Sequence, residues 1–116
     1  QDPRLDKVAE YSPRIAEELL DTGVNMGVGT ASKFLQRALN TLNAEGKYYP
    51  DIAVDGAIGQ MTLASLKAFL AYRGDNGHVV LVRMLNALQG VRYIEIAEAK
   101  PSQEAFIYGW FLSRVA

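Results

Sequence analysis

The sequence predicts an all-α fold of about five helices, with at most a minor hairpin. Two patterns carry that expectation. Apolar residues recur at helical spacing in separate stretches, most cleanly Phe34, Leu35, Ala38, Leu39 and Leu42. Glycine, proline and capping residues bracket those stretches. With 116 residues, 49% apolar and 22% charged, the chain has the length and composition of one domain around a single core.

Residues 1–11 are polar and carry Pro3, so they read as a linker or the tail of a preceding segment, in which Leu5, Val8 and Ala9 could make one turn of helix. The domain itself is expected over 12–116. Ser12 is a good N-cap and Pro13 gives up an amide hydrogen that would be unpaired there anyway. Ile15, Leu19, Thr22 and Met26 then follow at helical spacing up to Gly27. A second helix is expected from about Thr30, its cap, to Asn43, with Lys33, Arg37 and Asn40 or Thr41 on its wet face. Gly27 and Gly29 between the two should break the helix and let backbones approach closely. Residues 44–54 form a loop punctuated by Gly46 and Pro50, with Tyr48 and Tyr49 exposed. Asp55-Gly56 marks a turn into a third helix, whose inner face is Leu63, Leu66, Phe69 and Leu70 and which stops at Arg73-Gly74. A fourth helix, from Asn76 or Gly77 to about Ala99, is apolar on several sides (Val79 to Val82, Leu85, Leu88, Val91, Ile94, Ile96) and so should be central. Gly90 within it costs about 1 kcal/mol relative to alanine, which suggests a close helix contact or a kink. Pro101 ends it. Ser102 can cap a fifth helix, with Phe106, Ile107, Trp110, Phe111 and Val115 facing inward.

The net charge of -1 provides no strong field for nucleic acid or an anionic membrane, so neither is an expected partner. No apolar run is long enough to span a bilayer. The opening QDPRLDKVAEYS is polar and lacks methionine, as expected of a piece of a longer protein. The chain has no cysteine, so thiolate metal sites and cysteine nucleophiles are excluded. His78 is the single histidine; no metal, cofactor or catalytic triad is expected around it.

Three constellations could carry function. Asp21 and Asn25 lie one helical turn apart and share a face beside the glycine corner. They are either a groove-lining pair that holds a polar ligand or a buried pair that satisfies backbone groups. The run from Asp55 to Thr62 lacks the alternating oxygen ligands of a calcium loop. It reads as a turn whose Asp side chain bonds neighbouring amides, or else as a binding loop. Tyr93, Tyr108 and Trp110 could stack on sugar rings. Phe106 and Phe111 argue for Trp110 in the core, and Tyr108 is the better candidate for exposure. Glu104, near Trp110 and Tyr108, is the one carboxylate of interest beyond a solvated face.

The runs DTGVNMGVGTASKFLQRALN, VDGAIGQMTLASLKAF, LNALQGVRYIEIAE and EAFIYGWFLSRV resemble the C-terminal part of the glycoside hydrolase family 108 N-acetylmuramidases, often called the predicted peptidoglycan-binding domain. The family includes phage-type endolysins and proteins once labelled secretion activators. The resemblance spans about Ser12 to Val115 and implies a lysozyme-like helical fold acting on the bacterial cell wall, from the periplasm or as a lysin released from the cytoplasm. It implies peptidoglycan glycan strands as the partner, with Asp21, Asn25, Tyr93, Glu104, Tyr108 and Trp110 on the substrate side. The family's catalytic glutamate lies in an N-terminal Glu-Gly-Gly motif. Here the only Glu-Gly is Glu45-Gly46, followed by Lys47 in a loop, so no catalytic residue is carried over and the chain alone is expected to be inactive. Apolar surface left by a missing part would favour a homodimer. A free-standing binding module without catalysis, or a helical interaction protein, are the alternatives.

Overall fold

The computed structural model describes residues 3–114, and among them it contains six α-helices, one short 3-10 helix and no strand. The all-α expectation holds. The helices are α1 (Pro3–Tyr11), α2 (Pro13–Met26), α3 (Val28–Thr41), α4 (Gln60–Arg73), α5 (Asp75–Ala99) and α6 (Glu104–Arg114), with the 3-10 turn at Pro101–Gln103. The chain divides into two units, Gln1–Leu85 and Asn86–Ala116, with the boundary inside α5.

The first unit departs from expectation at its start. Residues 3–11, where the sequence suggests one turn of helix at Leu5, Val8 and Ala9, form the helix α1, which packs on α2 and α4 and buries Leu5 and Val8. Two apolar residues three apart suffice once a partner covers them. Ser12 is the whole connection to α2. Its amide donates to Val8 O at 2.9 Å, and its hydroxyl caps α2 by accepting from Ile15 N at 3.2 Å. The same hydroxyl lies 2.8 Å from His78 Nδ1 on α5, which gives the lone histidine a structural partner.

Gly27 alone joins α2 to α3. Its φ of 96° is a region that L side chains avoid, and a Cβ there would meet nothing within 4 Å, so backbone conformation rather than crowding requires glycine. The expected second break at Gly29 is absent. α3 begins at Val28, ahead of Thr30, because Gly27 itself serves as the N-cap position. A close backbone approach does occur near Gly29, but to Gly56, where a Cβ would lie 3.2 Å from Gly29 O. α3 buries Ala31, Phe34, Leu35, Ala38 and Leu39 against α2, its most extensive neighbour, and α4. Each large side chain so buried contributes about 1.5–3 kcal/mol. Leu66 and Phe69 of α4 and Leu81 and Leu85 of α5 are buried in the same unit.

The second unit is the C-terminal half of α5, the 3-10 turn and α6. Gly90 permits a close helix contact, as its presence suggests: a Cβ there would lie 3.2 Å from the Phe111 ring and 3.3 Å from that of Trp110. α5 is not buried throughout, because Val91 and Ile94 are exposed. Phe106, expected inside, is 62% exposed, and Val115 lies outside the described residues.

Candidate functional site

Three amides organise the long connection between α3 and α4. Gln36, Asn40 and Asn43 follow one another at helical spacing, so their side chains rise along one edge of α3 and onto its end. Gln36 is fully buried and uses its whole amide. Its Oε1 accepts from Asp55 N and Gly56 N, both at 3.0 Å. Its Nε2 donates to Asp55 Oδ1 and Ala57 O at 2.9 Å and to Thr62 Oγ1 at 3.1 Å. Asn40 pairs with both backbone groups of Ile52, at 2.9 and 2.8 Å. Asn43 donates to Asp51 Oδ1 at 2.6 Å and accepts from Gly46 N at 3.0 Å. The side chains thus satisfy loop backbone groups that a strand ladder would satisfy in a β protein.

This clamp fixes the Asp55 turn. Asp55 Oδ1 also accepts from Ala57 N at 3.0 Å, and Gly56 takes a φ of 79°. The Ala57 amide, then Gln36, hold the Asp55 carboxyl below its ordinary value, because both donors favour the charged form. The turn therefore has the structural role that its sequence suggests. Beside it lies an open depression of about 580 Å³, lined by Asp51, Asp55, Gln60, Met61 and Thr62 among others. A second, of about 660 Å³, lies along Asn40, Asn43, Glu45 and Gly46 and shares Asp51 with the first.

The same loop carries Tyr48 and Tyr49, which diverge. Tyr49 is buried rather than exposed, and its hydroxyl donates to Leu39 O at 2.8 Å. Burial pushes its pKa up to about 12; the charge of Asp51 adds to this and that of Arg73 opposes it. Tyr48 stacks on Tyr72 of α4, with ring centroids 3.4 Å apart. A hydrogen bond from the Tyr72 side chain, then the charges of Lys47 and Arg73, draw the Tyr48 pKa down against the effect of desolvation.

The residues singled out in the sequence fall into two groups. In the first unit, Asp21 is half-buried on α2 and Asn25 is exposed one turn on. In the second, Tyr93 and Trp110 meet with centroids 5.1 Å apart. Trp110 is only 7% exposed, and Phe111 meets it edge-on at 5.0 Å. It is therefore a buried support for this cluster, not an open stacking platform. Tyr108 is 78% exposed, beside a shallow apolar depression with Ile107, Phe111 and Leu112. Glu104 is exposed in the first turn of α6 and lacks the apolar enclosure that a glycosidic general acid requires. Among the described residues no group of three His, Cys, Asp or Glu side chains could hold a metal, and no helix is long and apolar enough to cross a membrane. Sequence reasoning missed the roles of Gln36 and Asn43 and offered Asn40 or Thr41 for the wet face. The one available signal was the recurrence of amides at helical spacing beside an apolar stripe.

No curated protein matches the chain. One family model does, described as the Predicted Peptidoglycan domain, over residues 30–115. The match takes in nearly all of α3, the clamped loop, α4, α5 and α6, and leaves Asp21 and Asn25 outside. Covering well over half of the sequence, it shows that the chain belongs to this family of peptidoglycan-binding domains.

Proposed function

We propose that this chain is the peptidoglycan-binding part of a cell-wall-degrading N-acetylmuramidase resembling glycoside hydrolase family 108, with the catalytic glutamate supplied from outside these 116 residues. The family match over residues 30–115 carries this reading, because it contains three of the four motif runs that resemble the muramidases. The two glutamates that the sequence brings into question agree. Glycoside hydrolysis needs an acid whose proton is retained in a cleft. Glu45, of the only Glu-Gly pair, is exposed on the loop between α3 and α4, and Glu104 is exposed on α6. Asn25, beside Asp21, and the exposed Tyr108 are the proposed glycan contacts.

Co-sedimentation with purified sacculi tests the binding, and turbidity loss of cell walls tests the enzyme. The chain should pellet with sacculi and leave wall turbidity unchanged, while a protein carrying the chain behind a Glu-Gly-Gly segment should clear it. Failure to pellet with sacculi refutes the proposal. A free-standing module is the second reading, favoured by the family description, which speaks of a peptidoglycan domain and of no reaction. Full wall clearance by no longer protein, with binding intact, would select it. The exposed Phe106, Tyr108 and Leu112 of α6 support a homodimer, and a monomer at high concentration in sedimentation equilibrium excludes it.

A further inference from the structure

The corner where α4 turns into α5 holds features that the proposed glycan contacts do not use. Gly74, at φ 66°, makes the turn. Inside it lies a cavity of about 190 Å³ lined by Leu42, Phe69, Arg73, Asn76, Gly77 and Val80. That is smaller than the roughly 300–1,000 Å³ of drug-sized sites, and it suits a group of few atoms. Leu42, Phe69 and Val80 make its lining mainly apolar, and its two polar side chains, the Arg73 guanidinium and the Asn76 amide, can each donate hydrogen bonds. Gly77 keeps the corner tight, since a Cβ there would come within 2.9 Å of Arg73 Cβ and 3.2 Å of the Phe69 ring.

Arg73 is held rather than loose. Its guanidinium carbon lies 4.5 Å from the centroid of the Tyr72 ring, which is stacked in turn on Tyr48. Lys47 sits over the far member of that pair, 5.4 Å from the Tyr48 centroid. Neither cation forms an ion pair with a carboxylate among the described residues. A guanidinium that stacks on a ring still has N–H edges free, and those edges suit a carboxylate. Holding it in place beforehand lowers the entropy cost of binding.

We propose that this corner is a subsite for a small carboxylate whose adjoining carbon carries a compact alkyl group, with Arg73 and Asn76 taking the oxygens and Leu42, Phe69 and Val80 the alkyl group. An N-acylated alanine has this chemistry. On the peptidoglycan reading, on which only the source of the ligand rests, it is the free end of a stem peptide, and the alternative source is a soluble short peptide. The subsite would add recognition of the peptide to that of the glycan.

The test is a heteronuclear NMR titration of the whole chain with N-acetyl-D-alanine, and with N-acetyl-D-alaninamide as the uncharged control. The acid should shift the amides of Arg73, Asn76 and Gly77, and the amide compound should not. Arg73→Gln should weaken binding about tenfold or more, the loss of a charge-assisted hydrogen bond. Val80→Phe, at a position 40% exposed and so tolerant of size, should block the cavity while leaving the fold intact. Equal shifts from both compounds, no shift at any soluble concentration, or an unchanged Arg73→Gln would each overturn the proposal. Sacculi with and without enzymatically removed stem peptides separate the sources: a preference for intact stems, lost in Arg73→Gln, assigns the wall peptide. Binding of the acid without any affinity for sacculi would keep the subsite, assign it to a soluble peptide and refute the wall-binding function. Sacculus binding without binding of the acid would do the reverse.

Discussion

Gln36 offers the sharpest test of how the loop before α4 is held. Replacing it by alanine removes the acceptor of two backbone amides, Asp55 N and Gly56 N, and the donor to Asp55 Oδ1, Ala57 O and Thr62 Oγ1. Asp55 and Ala57 are exposed, so water replaces the donor at those two acceptors at little net cost; Thr62 is buried, and its hydroxyl loses this partner. The two amides are tied to a fully buried side chain, and each left unsatisfied costs about 1 kcal/mol, the low end for a group at a boundary. The loss of a buried methylene adds about 0.8 kcal/mol. Gln36→Ala should therefore destabilise by about 3 kcal/mol, a large share of the roughly 5–15 kcal/mol typical of a domain. Gln36→Met separates the causes: it keeps the volume and should still lose about 2 kcal/mol. Urea unfolding followed by circular dichroism gives both values, and hydrogen exchange should show lost protection at residues 55 and 56. A loss below about 0.5 kcal/mol in Gln36→Met, the range of an ordinary surface change, refutes the clamp.

Three further outcomes follow from the same geometry. Because the Asp55 pKa is lowered below 3.8 in the folded state, its contribution is full above that value and is lost as pH falls through the lower, folded one; Asp55→Asn should flatten the acid limb of a stability–pH curve. Tyr49 has the opposite sign: its pKa is raised from 10.0 to about 12, so its contribution is full below 10.0 and is lost as pH rises through about 12. Tyr49→Phe should cost about 1 kcal/mol at neutral pH by removing the bond to Leu39 O, and should flatten the alkaline limb in pH-dependent thermal melts. Gly90→Leu gains about 1 kcal/mol of helix propensity but overpacks the Phe111 and Trp110 rings by about 1–3 kcal/mol, so a net loss with altered Trp110 fluorescence is expected.

The helices were legible where the chain carries its own punctuation. Ser12-Pro13, Gly27, Gly74 and Pro101 each end or begin an element by local chemistry, and the structure uses all four. α1 was legible only as a single turn, because two apolar residues three apart are a weak signal until α2 and α4 pack on them. Tyr49 was misplaced for a related reason: its hydroxyl finds a carbonyl on α3 ten residues away, which no local pattern shows. Of the residues singled out as a candidate site, the sequence anticipates positions rather than roles. Asp21 and Asn25 stand one turn apart, as their spacing requires, and Tyr108 is exposed. The burial of Trp110 depends on Gly90, on another helix, and so on tertiary packing.

The clamp also changes what the Asp55 to Thr62 motif means. Asp55, Gly56 and Thr62 are engaged by Gln36 or by the approach to Gly29, and Ile58 is buried, so the fold accounts for them. Such residues would recur in any protein that staples a loop to a helix in this way, whatever it binds. The motif therefore identifies an architecture before it identifies a ligand. Gln60 and Met61 differ: both are exposed at the start of α4, Met61 at 63%, and both line the depression beside the turn. Exposing a large apolar side chain there gains the interior nothing. If the family binds peptidoglycan through this face, substitutions at Gln60 and Met61 should change affinity for sacculi at unchanged stability. Substitutions at Gln36 should change stability first, and affinity only through it.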